Sequence, residues 1–304
     1  MSHPHYLRTR ARLNGLINQY LSIEQLSDRL SDLPSQFETP HQRHWEPIHW
    51  HAIDRSQVID VDLELFLKVI ASAAEVEAPI RAYAKESWDY FHALHPQMAT
   101  FMGGTFAEDG STLTLGIWEK EERQHAPVFR KLYQQLTTEA IVSKPNSVSG
   151  CQPTPDPWYD LHHHVLSRLA TEWSAVAVYL WLMAHSTGEL QRAIAQPLQD
   201  EVNHLAKFWG FSRWAFADSY YQQVKGSTAN LAALLKHHRS ERTYSGDLVS
   251  KTRRLNNAIY AIELAAAFVR VMARLRRWDR ELSNSYLRHL FGPSPAMAHR
   301  AIAA

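Results

Sequence analysis

Residues 118–129 read WEKEERQHAPVF and residues 199–208 read QDEVNHLAKF. Each places a histidine three positions after a glutamate, Glu122 with His125 and Glu201 with His204. On a helix that step separates two side chains by about 60° around the axis, so both can reach one point. Leu115, Trp118 and Phe129 flank the first pair, and Ile194, Leu198, Leu205 and Phe208 the second. Both pairs thus sit on apolar faces, where a charged group needs a partner. Two further Glu-x-x-His pairs, Glu38 with His41 and Glu46 with His49, each enclose a proline in a loop-like segment and lack helical geometry.

Around these pairs the chain reads as helix. Apolar residues recur at three- and four-residue steps, as in Leu13, Leu16, Ile17, Tyr20 and in Phe66, Val69, Ile70, Ala73. The pattern predicts helices over about 9–33, 60–92, 112–136, 158–187, 190–216, 228–240 and 250–283. Prolines, histidines and glycines predict loops over 34–56 and 93–111. The segment SKPNSVSGCQPTPDP, residues 143–157, is a long non-helical connection between the third and fourth helices. A connection there suits an all-α, ferritin-like four-helix bundle with one crossover, built from 60–92, 112–136, 158–187 and 190–216. The domain reading is an N-terminal helix and loop over 1–56, a bundle over 57–216, and C-terminal helices over 217–304.

In that bundle each of the other two core helices supplies a glutamate. Glu172 shares a face with Leu161, Val165, Leu169, Val176 and Tyr179, where an unpaired carboxylate would be costly. The 60–92 helix offers both Glu75 and Glu77, which point to nearly opposite sides. The helical wheel favours Glu77, on the side of Phe66, Ile70, Ala73 and Ile80, and leaves Glu75 open. Two Glu-x-x-His pairs with two lone glutamates make the ligand set of a carboxylate-bridged di-iron or di-manganese site, which suits oxygen activation.

Composition narrows the rest. The 304 residues carry a formal net charge of +1, so overall charge names no partner. The single cysteine, Cys151, makes no internal disulfide, and a reducing cytoplasm is the expectation. The longest nearly uncharged apolar run, Trp173–Ala184, is short of the ~20 residues of a membrane span. Residues 251–280 hold Lys251, Arg253, Arg254, Arg270, Arg274, Arg276, Arg277 and Arg280 against Glu263 and Asp279, which predicts a basic face for an anionic macromolecule. Aromatic interleaving is lacking, so nucleic acid is not expected. His162-His163-His164 reads as a solvated helix start, and Trp173, Trp181, Trp209 and Trp214 read as packing.

The motifs resemble those of the soluble acyl-ACP desaturases over roughly residues 40–210. The family's W-x-x-E-E-x-x-H is matched by Trp118, Glu121, Glu122 and His125, and its D-E-x-x-H by Asp200, Glu201 and His204. Trp45-Glu46-Pro47 looks like the W-x-P element before the family's first core helix. The family's first-helix ligand stands four residues before a proline, which selects Glu75 ahead of Pro79. The resemblance therefore implies two irons, with manganese or a mixed pair as variants, on Glu75, Glu122, His125, Glu172, Glu201 and His204. It also implies that Asp200 holds His125, that Glu121 holds His204, and that Trp45 continues the first chain outward as an electron relay.

The implied activity is oxygen-dependent desaturation of a carrier-bound acyl chain by a homodimer. A ferredoxin-like protein would donate electrons, acyl carrier protein would present the substrate, and Leu115, Val176 and Tyr179 would line the cleft. The family usually has a threonine three residues after the third-helix glutamate, where Ala175 stands here. Pro127 predicts a bend just past His125. Arylamine N-oxygenases, with a similar ligand set, carry a further histidine at the position of Pro197. Iron oxidation and storage, as in ferritins, is the non-enzymatic alternative.

Overall fold

A computed structural model describes residues 4–141, 154–216 and 248–293, with side chains from residue 7 and, in the last segment, from residue 260. The described residues are mostly helical. Helix α1 spans Pro4–Tyr20 and α2 Ile23–Ser31. The pattern over 9–33 predicts one helix, but Ser22 interrupts it with a capping box in which its hydroxyl accepts from the Gln25 N–H. Helix α3 covers Leu33–Glu38, at the head of a segment that reads as loop.

The segment 60–92 is also two helices, α4 over Leu63–Val76 and α5 over Ile80–His92. Pro79 separates them, since it has no N–H to donate and disfavours helical geometry at Ala78. Glu77 becomes the C-cap of α4. Helix α6, Pro96–Gly103, forms where a loop was expected, started by Pro96 in its first turn and the His95 ring accepting from Met98 N–H. A two-stranded antiparallel ribbon follows, β1 Thr105–Phe106 with β2 Thr112–Thr114. Gly104 turns the chain into it at φ 84°, with its α-carbon so close to the Thr114 carbonyl that a side chain would not fit.

Helix α7, Ile117–Glu122, and α8, His125–Thr137, replace the single helix predicted over 112–136. Pro127 acts earlier than a bend past His125: the break falls at Arg123 and Gln124, and the proline sits in the first turn of α8, where its missing N–H costs nothing. Helix α9, Pro157–Ala184, and α10, Gly188–Ala215, are each 28 residues long. Asp156 caps α9 by accepting from the Trp158 and Tyr159 N–H groups. Helix α4 packs on α8 and α9, α5 on α9, and α9 along α10.

The C-terminal helices are α11, Leu248–Asp279, and α12, Asn284–Phe291. Four indoles on α9 and α10 fasten them. Trp173 donates to the Phe268 carbonyl at 3.2 Å, Trp181 to Glu263 at 3.1 Å, Trp209 to Asp279 at 2.9 Å and Trp214 to the Gly292 carbonyl at 3.0 Å. Glu263 and Asp279 are therefore buried, while Arg276, Arg277 and Arg280 face outward. Lys251, Arg253 and Arg254, the expected helix 228–240, Cys151 and the crossover after residue 141 lie outside the described residues or side chains. No helix among the described residues is long and apolar enough to cross a membrane.

Candidate metal centre

The breaks and long helices converge on one buried cluster. Glu77 stands at the end of α4, Glu122 ends α7, His125 begins α8, Glu172 lies mid-way along α9, and Glu201 and His204 lie on α10. All six are buried, the two histidines completely. They form two overlapping groups that could each hold a metal ion, Glu77, Glu122, His125 and Glu201 in one, and Glu122, Glu172, Glu201 and His204 in the other. Glu122 and Glu201 belong to both.

Glu75 belongs to neither. It is partly buried, and the first-helix position falls to Glu77 instead. Counting back from Pro79 selects Glu75 only for a helix that continues to the proline. Here α4 stops at Val76, and Glu77, at its C-cap, turns its carboxylate inward.

Both imidazoles present Nδ1 to the interior. His125 Nδ1 lies 3.2 Å from Glu122 and 3.1 Å from Glu201. His204 Nδ1 lies 2.8 Å from Glu122 and 3.5 Å from Glu172. The opposite nitrogens are held from outside the cluster: His125 Nε2 meets Asp200 Oδ2 at 3.2 Å, and His204 Nε2 meets Glu121 Oε2 at 2.8 Å. A carboxylate on Nε2 fixes the tautomer that leaves the Nδ1 lone pair facing inward.

The outer carboxylates have supports of their own. Trp45 donates its indole N–H to Asp200 at 2.8 Å and stacks on His125 with ring centroids 6.1 Å apart. Arg43 donates Nε–H to Asp200 at 2.5 Å and its backbone N–H to Glu121 at 2.8 Å. Arg43 was not legible as a site residue, because it lies in a loop with no period. Tyr179 donates its hydroxyl to Glu77, and with Val176 it is fully buried, packed on Phe129 at 4.8 Å. Leu115 is half-buried.

Electrostatics shows what the cluster lacks. Glu122 Oε1, His125 Nδ1, Glu172 Oε2, Glu201 Oε1 and His204 Nδ1 are five buried atoms without a hydrogen-bond partner. Each lies 2.8–3.5 Å from an oppositely charged group of the cluster, but four buried carboxylates around two imidazoles leave an excess of negative charge. Protons offset part of this. Burial and the Glu122 charge push Glu77 up to about 8, and burial with Glu122 and Glu172 raises Glu201 well above the carboxylate range. Burial alone would lower both histidines, but the carboxylates around them, Glu122 for His125 and Glu121 for His204 foremost, hold both well above the usual range. Burial would likewise raise Glu122, yet the His125 and His204 charges hold it below its ordinary value. Without a cation, protons would offset part of the negative charge.

The donor set fits two divalent cations. Four carboxylates balance the charge of two such ions, the two imidazoles supply one nitrogen to each, and the ligand atoms of each group lie within 4.8 Å of one another. Two histidines of the triplet at the start of α9 correct the expectation of a solvated run: His162 and His164 are buried, and only His163 is exposed. No family model, no curated protein and no solved structure matches this chain.

Proposed function

We propose that the cluster is a carboxylate-bridged dinuclear iron centre in a ferritin-like bundle, and that the chain is an oxygen-dependent oxidoreductase. The observation that carries this reading is the arrangement of two inward Nδ1 atoms, each backed by an outer carboxylate, around two glutamates common to both groups. Four buried carboxylates around two imidazoles leave an excess of negative charge that two divalent cations would balance.

Two irons, when bound, supply electrons to dioxygen for attack on an otherwise unreactive bond. The chain's own residues do the positioning. Glu122 and Glu201 would serve both ions, Glu77 and His125 one of them, and Glu172 and His204 the other. Asp200 and Glu121 keep each imidazole in one tautomer and one plane. Tyr179 keeps a proton on its hydroxyl against Glu77. Trp118, Phe129, Phe208 and Val176, all buried, keep bulk water away. Trp45 is half-buried and joins Asp200 to the surface, where a ferredoxin-like donor would approach.

By its resemblance to the acyl-ACP desaturases, the reaction we assign is removal of two hydrogens from a carrier-bound acyl chain. The exposed arginines of α11 would meet an acidic carrier. Ala175 leaves the position of the family's threonine without a hydroxyl, so oxygen insertion is the competing outcome. The test supplies the reduced, iron-loaded protein with oxygen, a ferredoxin and its reductase, and a mixture of acyl carriers and small metabolites, then follows mass. Loss of two hydrogens supports desaturation. Gain of oxygen moves the assignment to a monooxygenase or N-oxygenase. Iron taken up in large excess with no substrate change would make the chain a storage protein.

A further inference from the structure

Helix α9 carries a second buried polar stripe, which the cluster does not use. His164, Arg168 and Glu172 stand one turn apart along it, and only Glu172 belongs to the metal groups. His164 Nε2 lies 2.9 Å from the hydroxyl of Ser87 on α5, a residue with no exposed surface, and its ring stacks on Tyr90 at 4.6 Å. Arg168, 7% exposed, lies over the Tyr83 ring at 4.8 Å.

Arg168 lacks a counter-charge. Its Nε is buried without a hydrogen-bond partner, and among the described residues no carboxylate stands within ion-pair distance of it. Glu172, one turn on and at the spacing that commonly forms an ion pair, faces His204 instead. Three other buried or half-buried cations are matched, Lys207 with Asp32 at 2.9 Å, Arg213 with Asp279 at 2.9 Å and Arg43 with Asp200 at 2.5 Å, whereas the half-buried Arg29 meets the Gln199 carbonyl and the half-buried Arg130, like Arg168, has an Nε without a partner. A buried guanidinium without an acid is among the costlier groups a fold can hold. Burial and the neighbouring Arg168 charge push His164 well below the usual histidine range, so the ring adds no second charge.

We propose that Arg168, with the Ser87–His164 pair beside it, forms a carboxylate-binding subsite in the seam between α5 and α9, binding a singly charged, apolar free carboxylic acid one helical turn from Glu172. One buried positive charge matches one negative charge, whereas a phosphate dianion would leave an excess buried. The planar guanidinium fork also matches a carboxylate. Val165, Leu169 and Val176 are buried on the same stretch of α9, so the part of the ligand beyond its carboxylate is hydrocarbon. As a substrate, which rests on the dinuclear oxidoreductase reading, such an acid would take the place of the carrier-bound acyl chain; the binding itself does not rest on that reading.

The probe is decanoate, compared with 1-decanol and decyl phosphate, titrated calorimetrically into the full-length metal-loaded protein and into a chelator-treated sample. Decanoate should bind both samples more tightly than decanol does. Arg168→Gln should weaken decanoate binding about 10–100-fold and leave decanol unchanged, with Arg168→Lys between. Ligand-free Arg168→Gln should melt no lower than the wild type, because the charge it removes serves a ligand and not the fold. Unchanged decanoate affinity in Arg168→Gln, equal binding of decanol, tighter binding of decyl phosphate, or a large fall in melting temperature would each overturn the proposal. Metal content read on the same samples keeps the two readings apart. A wild type that takes up no metal sinks the dinuclear centre, while the decanoate comparison in chelated protein still decides the subsite.

Discussion

His125 and His204 each turn Nδ1 toward the shared glutamates and give Nε2 to an outer carboxylate, but the two carboxylates are held differently. Asp200, behind His125, is gripped by the Arg43 guanidinium and the Trp45 indole, and Trp45 reaches the surface. Glu121, behind His204, is 1% exposed and receives one backbone N–H from Arg43. The lone glutamates differ too, since Glu77 accepts from Tyr179 while Glu172 Oε2 faces His204 Nδ1 at 3.5 Å. The cluster therefore has two unequal halves, one joined to the surface through Trp45 and one sealed. Arg43 joins them, since its side chain serves Asp200 and its backbone Glu121.

The largest effects should come from residues the halves share. Glu122→Ala or Glu201→Ala should take iron content from two equivalents to near none, measured by elemental analysis after reconstitution. Glu77→Ala should remove only the ion on the His125 side and leave about one equivalent, while Glu75→Ala should leave both. If Glu75→Ala were the damaging change and Glu77→Ala the silent one, the placement of α4 would be wrong.

A second prediction sets metal against protons. Glu77 keeps its proton up to about pH 8 in the folded, metal-free chain but releases it near 4.5 when unfolded. The folded state thus binds more protons between those values, and stability of the metal-free protein should fall as pH rises through that window. Raised values at Glu201, His125 and His204 act in the same direction. Metal displaces these protons, so its affinity rises over the same window. The gap in melting temperature between iron-loaded and metal-free protein should widen from about pH 5 to about pH 8, and a gap that narrows would break the account.

The sealed half and the half joined to the surface should part company in smaller changes. Asp200→Asn should keep most of the metal but slow reduction by an external donor in stopped-flow measurements, because the imidazole keeps its partner and loses the charge behind it. Glu121→Gln, at the closed half, should weaken metal binding by about 10-fold, the low end for such supports, and leave reduction close to wild type. Equal kinetics in the two variants would mean that Trp45 is packing alone.

The long elements and the histidine pairs were legible because a 3.6-residue period carries them. Helices α9 and α10 lie within a few residues of their predicted limits, and both Glu-x-x-His pairs meet. The helix breaks were read less well. Pro79 and Pro127 each cut a predicted helix, and those cuts set where Glu77 and His125 stand. The wheel pointed to Glu77 while motif spacing pointed to Glu75, and spacing failed because it assumes an unbroken helix. Arg43 and the Arg168 stripe had no local signature, since each depends on partners far along the chain.

The central claim is two metal ions sharing Glu122 and Glu201, and Mössbauer spectroscopy of protein reconstituted with enriched iron tests it most directly. The account predicts two equivalents of iron in the wild type, magnetically coupled when oxidised, with both signals lost together in Glu201→Ala. Uncoupled mononuclear iron at one equivalent or less in the wild type, or iron unchanged in Glu201→Ala, would contradict it.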